Sequence, residues 1–495
     1  MTLYDQSNRQ SAPTIQLRLD RPTGNFWIDN GLVVLCSLMG EGEHPINEVL
    51  DAMLQRLVQK TGNKGFYFDE RSGELREYEK VNWVYPTNLF IKVSGKSGKK
   101  IEIDGRKYPT QPPIFDLRLQ LRKASEICDI CGREGPTESA KMWMFPFVVD
   151  PDKFANFYPG VKQGLKLCPH CALAGLAGYL GWCWWAHGRD AIHIFVFHTD
   201  LHELKRLHRE VLEPLKKESK GGNISIAFGG PYLHETTWGL LLELFSYVRS
   251  SEGLSRSAQK FLGELLGATP SPRMTPVTLY VITGVSGKAF NMQEFRSFSH
   301  LQSLYRLYEA WLQAIGSKSD NPHQSLVAVF RQFQTREGNE YNTIWREKVA
   351  WAILEFTDPL PYVESFLFDA KAKGKNPSPL AWGTEQVLEL YTKEVLAMEE
   401  TMLKVLSGFG HRLGTVSHEK NEMGLLYALR NAKNPEEFYR VLNDIQFRLE
   451  LTVPEELLQI SKGEKIAGSP WVRVKTLLSI YAMNTYLWRK QEQPQ

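Results

Sequence analysis

Cysteine is scarce in this chain, with six among 495 residues, and four of the six fall in two Cys-x-x-Cys pairs. That count and spacing exclude a secreted disulfide framework and point to metal ligands in a reducing compartment, so the cytoplasm is the expected location. An excess of either charge is also missing. Lys and Arg number 59 against 56 Asp and Glu, a formal net charge of +3, so affinity for a polyanion has to come from local basic patches. Long apolar runs are absent too. One candidate, LAGLAGYLGWCWWA at 173–186, has 14 residues, short of the roughly 18–20 that span a bilayer, and it reads as a buried helix; no membrane association is expected. The polar start, residues 1–13, lacks the basic and apolar regions of a secretory signal, which predicts no export. Familiar catalytic signatures are missing as well. GVSGK at 284–288 has the wrong spacing for a phosphate-binding loop, no G-x-S-x-G occurs, and the His202-Glu203 pair is not completed as H-E-x-x-H because position 206 is Arg.

What the chain does have is apolar mass: 42% hydrophobic residues, with 13 Trp, 19 Tyr and 25 Phe, ample for several cores. At this length two to four folded units are expected.

Cys128-Asp-Ile-Cys131 and Cys168-Pro-His-Cys171 form two knuckles. A two-residue gap lets both thiolates of a tight turn reach one ion, and two such turns complete a tetrahedral four-sulfur shell. The ion expected is one structural Zn2+ per chain, with no ligand position left for an activated water. His170 lies inside the second knuckle as a dispensable extra donor, and Cys36 and Cys183 read as core residues. His198, His202 and His208 are treated as ordinary histidines.

The fold class expected is α+β: a mixed N-terminal region with an inserted four-cysteine, zinc-ribbon-like element, followed by a C-terminal α-helical bundle. In the alternating TIQLRLD stretch and the apolar GLVVLCSLM we read a strand, then a buried strand or helix. NWVYPTNLFIKVSG and KKIEIDGRKYP suggest a hairpin. AIHIFVFHTDL reads as a core strand, the following 201–218 as an exposed helix, and NISIAFGG and VTLYVITGV as a strand pair around a helical run at 236–266. From His300 the pattern is helical. Residues 369–379, DAKAKGKNPSP, read as a linker. Beyond it Val387, Leu388, Tyr391, Val395, Met398, Met402 and Val405 carry a helical period, and Asn434-Pro435 and Ser469-Pro470 read as helix starts. The resulting division is 1–124, the zinc insertion 125–175, 176–368, the linker, and the bundle 380–495.

Basic residues gather at Lys92, Lys96, Lys99, Lys100, Arg106 and Lys107 around Gly95, Gly98 and Gly105. A flexible loop of this kind can follow a phosphate backbone, although a solvated hairpin tip has the same composition. On the tail, Lys404, Arg412, Lys420, Arg430 and Lys433 offer a second, acid-interspersed basic face.

Two features together, Thr23-Gly-Asn-Phe-Trp-Ile-Asp-Asn-Gly31 and the two Cys-x-x-Cys pairs, resemble the CXXC-CXXC family of large subunits of type I CRISPR effector complexes, particularly subtype I-B. The resemblance implies a non-catalytic subunit at the foot of an RNA-guided surveillance complex, near the 5′ end of the guide RNA. There it would recognise the protospacer-adjacent motif in double-stranded DNA and help open the strands into an R-loop, in antiviral defence or guided DNA targeting, with the helical tail supporting the displaced strand. It further implies as partners guide RNA and target DNA, backbone and guide-end-capping subunits, and a recruited nuclease-helicase or transposition machinery. The tail would also be a candidate for separate synthesis as a small subunit. The protein would read a short duplex motif while base pairing reads sequence. Two other classes remain open from the residues alone: a zinc-stabilised nuclease or hydrolase, and a zinc-ribbon scaffold that binds only proteins.

Overall fold

The computed structural model describes residues 13–83, 91–92, 100–112, 114–115, 119, 121, 125–140, 144, 165–187, 190–216, 224–250, 253–269, 277–285, 291–316, 319–461 and 464–492. The chain forms two compact units, one comprising 1–225 and 247–301 and the other 226–246 and 302–495.

The first unit is α+β, as expected. Its helix Phe26–Met39 starts where Asn25, in an extended conformation, accepts from the backbone N–H groups of Trp27 and Ile28, and it stops at Gly40 with φ 85°. Thr14–Leu17 pairs antiparallel with Gly42–Pro45. Helix Pro169–Gly181 crosses Phe26–Met39 at backbone contact. A Cβ on Gly31 would lie 1.7 Å from the Ala174 carbonyl oxygen, and one on Gly178 would lie 2.6 Å from the Trp27 ring, so only glycine admits this approach. Trp27 is fully buried there, edge-on to Tyr179 and Trp182, and its indole donates to the Met144 carbonyl at 3.1 Å.

Strands Cys183–His187, Asp190–Phe197, Thr278–Val285 and Asn291–Phe298 form one antiparallel sheet in that spatial order. Ile194 faces Val281, Val281 faces Arg296, and the register shifts at Thr283/Gly284. Phe195 and His193 on one face pack on Trp182. The apolar run 173–186 is thus divided between a buried helix and a strand, and among the described residues no helix is long and apolar enough to cross a membrane.

Several expectations need correction here. The segment at 201–216 is half-buried: Leu201, Leu204, Leu207, Val211 and Leu212 face the core, and it widens to a π-helical turn at His208–Leu212. The extended region after residue 57 contains a long hairpin, Val58–Asp69 with Glu74–Trp83, that polar composition concealed. Lys100–Ile103 and Arg106–Pro109 make a hairpin by themselves. Its turn is Asp104-Gly105, both at positive φ (49° and 74°), the two-residue geometry that matches strand twist. Of the broader hairpin expected from 82–95 and 99–109, the described residues pair otherwise: Asn82 and Trp83 with Gln59 and Val58, and Ile91–Lys92 with Ile114–Phe115.

The second unit is helical apart from short hairpins. Its centre is Trp471–Glu492, buried from Val474 to Leu487 apart from the half-buried Thr485 and exposed beyond. Helix Glu400–Glu419 lies against it through Gly410 and Gly414, where a Cβ on Gly414 would meet the Ala482 carbonyl oxygen at 2.2 Å. Residues 387–405, read above as one helix, are two, Thr384–Glu394 and Glu400–Glu419. Ala397 turns left-handed (φ 55°) between them, and the Leu396 N–H closes the first helix onto the Tyr391 carbonyl. The helical run at 236–266 is likewise two helices, Leu233–Arg249, most of which belongs to this unit, and Arg256–Leu265, which belongs to the first.

Residues 369–379 do not separate two units. They lie inside this one, where Phe368, Ala372 and Leu380 are buried and Asp369 pairs with Arg430. The described residues of NISIAFGG, 224–230, form no strand: Ala227 donates its N–H to the Gly239 carbonyl, and the Phe228 carbonyl sits where a Cβ of Gly239 would be, so they are strapped to a helix instead of a sheet. Asn434 does cap Pro435–Leu449 by accepting the Glu437 N–H at 2.8 Å. Ser469-Pro470 instead forms a short strand, and the last helix starts at Trp471, whose N–H reaches the Glu464 carbonyl.

Candidate metal centre

Cys128 follows strand Ser125–Ile127, which pairs with Glu134–Pro136. The chain between them folds back tightly: the Gly132 N–H reaches the Cys128 carbonyl at 2.9 Å and the Cys128 N–H reaches Arg133 at 2.9 Å. Gly132 adopts φ 68°, a left-handed position that the closing turn requires. The second knuckle is different. Cys168 is the residue before helix Pro169–Gly181, Pro169 fills the first helical position where no N–H is needed, and Cys171 lies in the first turn. Both sulfurs therefore sit at a helix N-terminus, where the backbone dipole favours thiolate.

Polar contacts made by Lys166 lock the knuckles together. The Asp129 N–H donates to the Lys166 carbonyl at 2.9 Å, and the Lys166 N–H returns to the Asp129 carboxylate at 2.5 Å. Glu126 accepts from Lys166 Nζ at 2.9 Å and from Thr137 Oγ1 at 2.7 Å. None of these residues was singled out from the sequence; an acidic side chain beside a cysteine is too common to signal it.

The four Sγ atoms of Cys128, Cys131, Cys168 and Cys171 lie within 4.8 Å of one another, and Cys131 and Cys168 are 3.6 Å apart. A tetrahedral ion with about 2.3 Å metal–sulfur bonds needs sulfurs about 3.8 Å apart, so the cluster fits a four-thiolate shell. Three of the cysteines are buried and Cys131 is partly so. Sulfur hydrogen bonding to Cys128 pushes the Cys168 thiol up to about 12 and raises Cys171 further, while contacts from Cys168 and Cys171 lower Cys128. Four thiolates cannot share this space without a cation, and a bound cation would displace the protons. The chain therefore holds a buried four-cysteine group able to bind a metal ion. Among the described residues it is the one such group of three or more His, Cys, Asp or Glu donors.

The remaining candidates do not join it. His170 is buried, with no hydrogen-bond partner at either ring nitrogen among the described residues. Cys36 and Cys183 are buried core thiols, and burial pushes Cys36 up to about 12. His198 accepts the Asp200 N–H, His202 is exposed, and His208 is buried 2.7 Å from Asn30 Oδ1, its pKa lowered to about 3 by desolvation.

Of the N-terminal basic residues, Lys100, Arg106 and Lys107 are exposed on the small hairpin. Lys96 and Lys99, and the side chain of Lys92, lie outside the described residues. On the tail, Lys404 pairs with Glu400 at 2.8 Å, Lys420 with Glu450 at 3.1 Å, and Arg430 with both Asp369 oxygens. Arg412 and Lys433 are exposed. The tail face is thus largely a self-compensated surface, with less charge left for phosphate than its sequence suggests.

No protein-family model matches the chain, and no curated protein matches it in sequence.

Proposed function

We propose that this chain is a non-catalytic, nucleic-acid-handling subunit of an RNA-guided CRISPR surveillance complex, with the ion in its four-cysteine centre a structural zinc. One observation carries the reading. Of the features on which the family resemblance rests, 23–31 and the second of the two Cys-x-x-Cys pairs belong to helices packed backbone to backbone, with Gly31 against Ala174 and Trp27 against Gly178. Within the first segment each polar residue has a structural task. Asn25 caps the helix, Asp29 accepts from the Thr23 and Gly24 backbone, and Asn30 meets His208. The segment and the cysteine pair thus make one module, which is how a joint sequence signature arises.

In this reading the closed sulfur shell holds the 125–175 element on the first unit and activates no water. The exposed hairpin with Lys100, Arg106 and Lys107 supplies phosphate contacts to duplex DNA near the recognised motif, and the other subunits and the guide RNA supply sequence readout. A recruited partner performs cleavage or transposition, and the complex works in the cytoplasm.

The test is affinity purification of the tagged chain from its native host, with sequencing of bound RNA and metal analysis. Repeat-derived guide RNA and about one zinc per chain is the expected result. Zinc without such RNA refutes the surveillance reading and returns the function to a protein-binding scaffold or a zinc-stabilised hydrolase.

A further inference from the structure

In the helical unit, Gly383 takes a left-handed conformation (φ 87°) ahead of helix Thr384–Glu394, leaving Trp382 at the end of a short loop. That loop is rigid. The Leu380 N–H donates to Asn484 Oδ1 at 2.7 Å, the Ala381 N–H to Gln332 Oε1 at 2.7 Å, and Thr384 Oγ1 to the Ala381 carbonyl. Asn484 is buried on the last helix, and Trp488 follows it by four residues on the same face. Trp382 and Trp488 are 40% and 41% exposed, the two tryptophans among the exposed large apolar side chains of the described residues. Both line one cavity of about 310 Å³, at the small end of ligand clefts.

The cavity's charges are internally balanced. The Glu385 carboxylate is held by Asn484 Nδ2 at 2.7 Å and His411 Nε2 at 3.0 Å, and Glu492 by Arg489 at 2.9 Å. With both carboxylates engaged, the site lacks the free anion of an ammonium cage. What remains is two partly exposed indoles and hydrogen-bonding edges with no uncompensated charge, a combination suited to a neutral heteroaromatic ring.

We propose that this cavity is a stacking site for an unpaired base of single-stranded nucleic acid. The inference rests on the nucleic-acid reading above but requires no guide RNA, and guide RNA co-purification reads that proposal separately. A ring that leaves its own stack exchanges base–base for base–indole contact, which tolerates any sequence because every base has a π-face.

The experiment compares the full chain with its Trp382→Ala/Trp488→Ala variant in binding a short deoxythymidine oligomer and an abasic oligomer of equal length. The expected result is a roughly tenfold or larger loss for the thymidine oligomer, with the abasic oligomer bound equally by both proteins. Equal thymidine binding by the two proteins, an equal loss on both oligomers, or no oligomer binding by the unaltered chain overturns the proposal. A second measurement needs no variant: photocrosslinking of a 5-iodouracil oligomer to the unaltered chain should place adducts at Trp382 or Trp488, and adducts found solely elsewhere overturn it.

Discussion

Replacing Gly31 by alanine probes the packing on which the metal centre stands. A Cβ at this position would lie 1.7 Å from the Ala174 carbonyl oxygen and 2.8 Å from the Gly178 nitrogen. Tolerable contacts begin near 3.0 Å, so helices Phe26–Met39 and Pro169–Gly181 must separate by roughly 1.3 Å or more, and the obstacle is backbone that no rotamer change relieves. Separation also lifts Trp27 off Gly178 and strains its 3.1 Å bond to the Met144 carbonyl. Overpacking alone costs about 1–3 kcal/mol, and the loosened indole adds lost apolar contact, so a destabilisation above about 3 kcal/mol is expected. Because Cys168 and Cys171 lie at the start of the displaced helix, metal retention should weaken with it. Guanidinium unfolding followed by circular dichroism, with metal release to a colorimetric chelator as a second signal, measures both. Gly408→Ala is the control: nothing lies within 4 Å of its Cβ position, and alanine in a helix should be neutral or stabilising by about 0.5–1 kcal/mol. A Gly31→Ala protein within about 0.5 kcal/mol of the parent, with unchanged metal release, would refute the reasoning.

Metal affinity should rise with pH, because the Cys168 thiol, pushed up to about 12, and the still higher Cys171 must lose protons on binding; pH-insensitive affinity between mildly acidic and mildly alkaline buffer contradicts this. Arg346→Ala should cost about 3–5 kcal/mol, since it strands the fully buried Glu235 carboxylate that Arg346 Nε holds at 2.6 Å; a denaturant midpoint near that of the parent would count against it. Burial raises the Glu364 carboxyl to about 7 despite nearby Lys475 and Arg430. Its proton is therefore bound more tightly in the folded state, and the stability it contributes is complete below the unfolded value near 4.5 and is lost as pH rises through about 7. Glu364→Gln should flatten that decline in pH-dependent melting, and an unaltered slope would show that another group governs it.

The two Cys-x-x-Cys pairs, the α+β class, the Asn434 cap and the core placement of Cys36 and Cys183 were legible in the sequence, because each depends on spacing or local chemistry within a few residues. The hairpin at 58–83 was not legible, since its described side chains are largely exposed and the polar residues scattered along both strands leave no continuous apolar face. Nor was the break at Ala397, where a left-handed residue without glycine interrupts an unbroken apolar period. The linker reading of 369–379 failed for a related reason. Lys, Gly and Pro content describes local solvation, but Asp369 finds Arg430 61 residues away and the segment is drawn into a core. Sequence showed acidic residues interspersed with Lys404, Lys420 and Arg430 but not which of them pair, and two of the three partners are distant in the chain. What the sequence by itself determined is the donor set of the metal centre, because ligand chemistry is fixed by residue type and turn length. What only the tertiary structure decided is the scaffold that holds it and the pairing of Trp382 with Trp488 at one cavity, because both depend on helices meeting across more than a hundred residues, through glycines and buried amides whose partners no local pattern names.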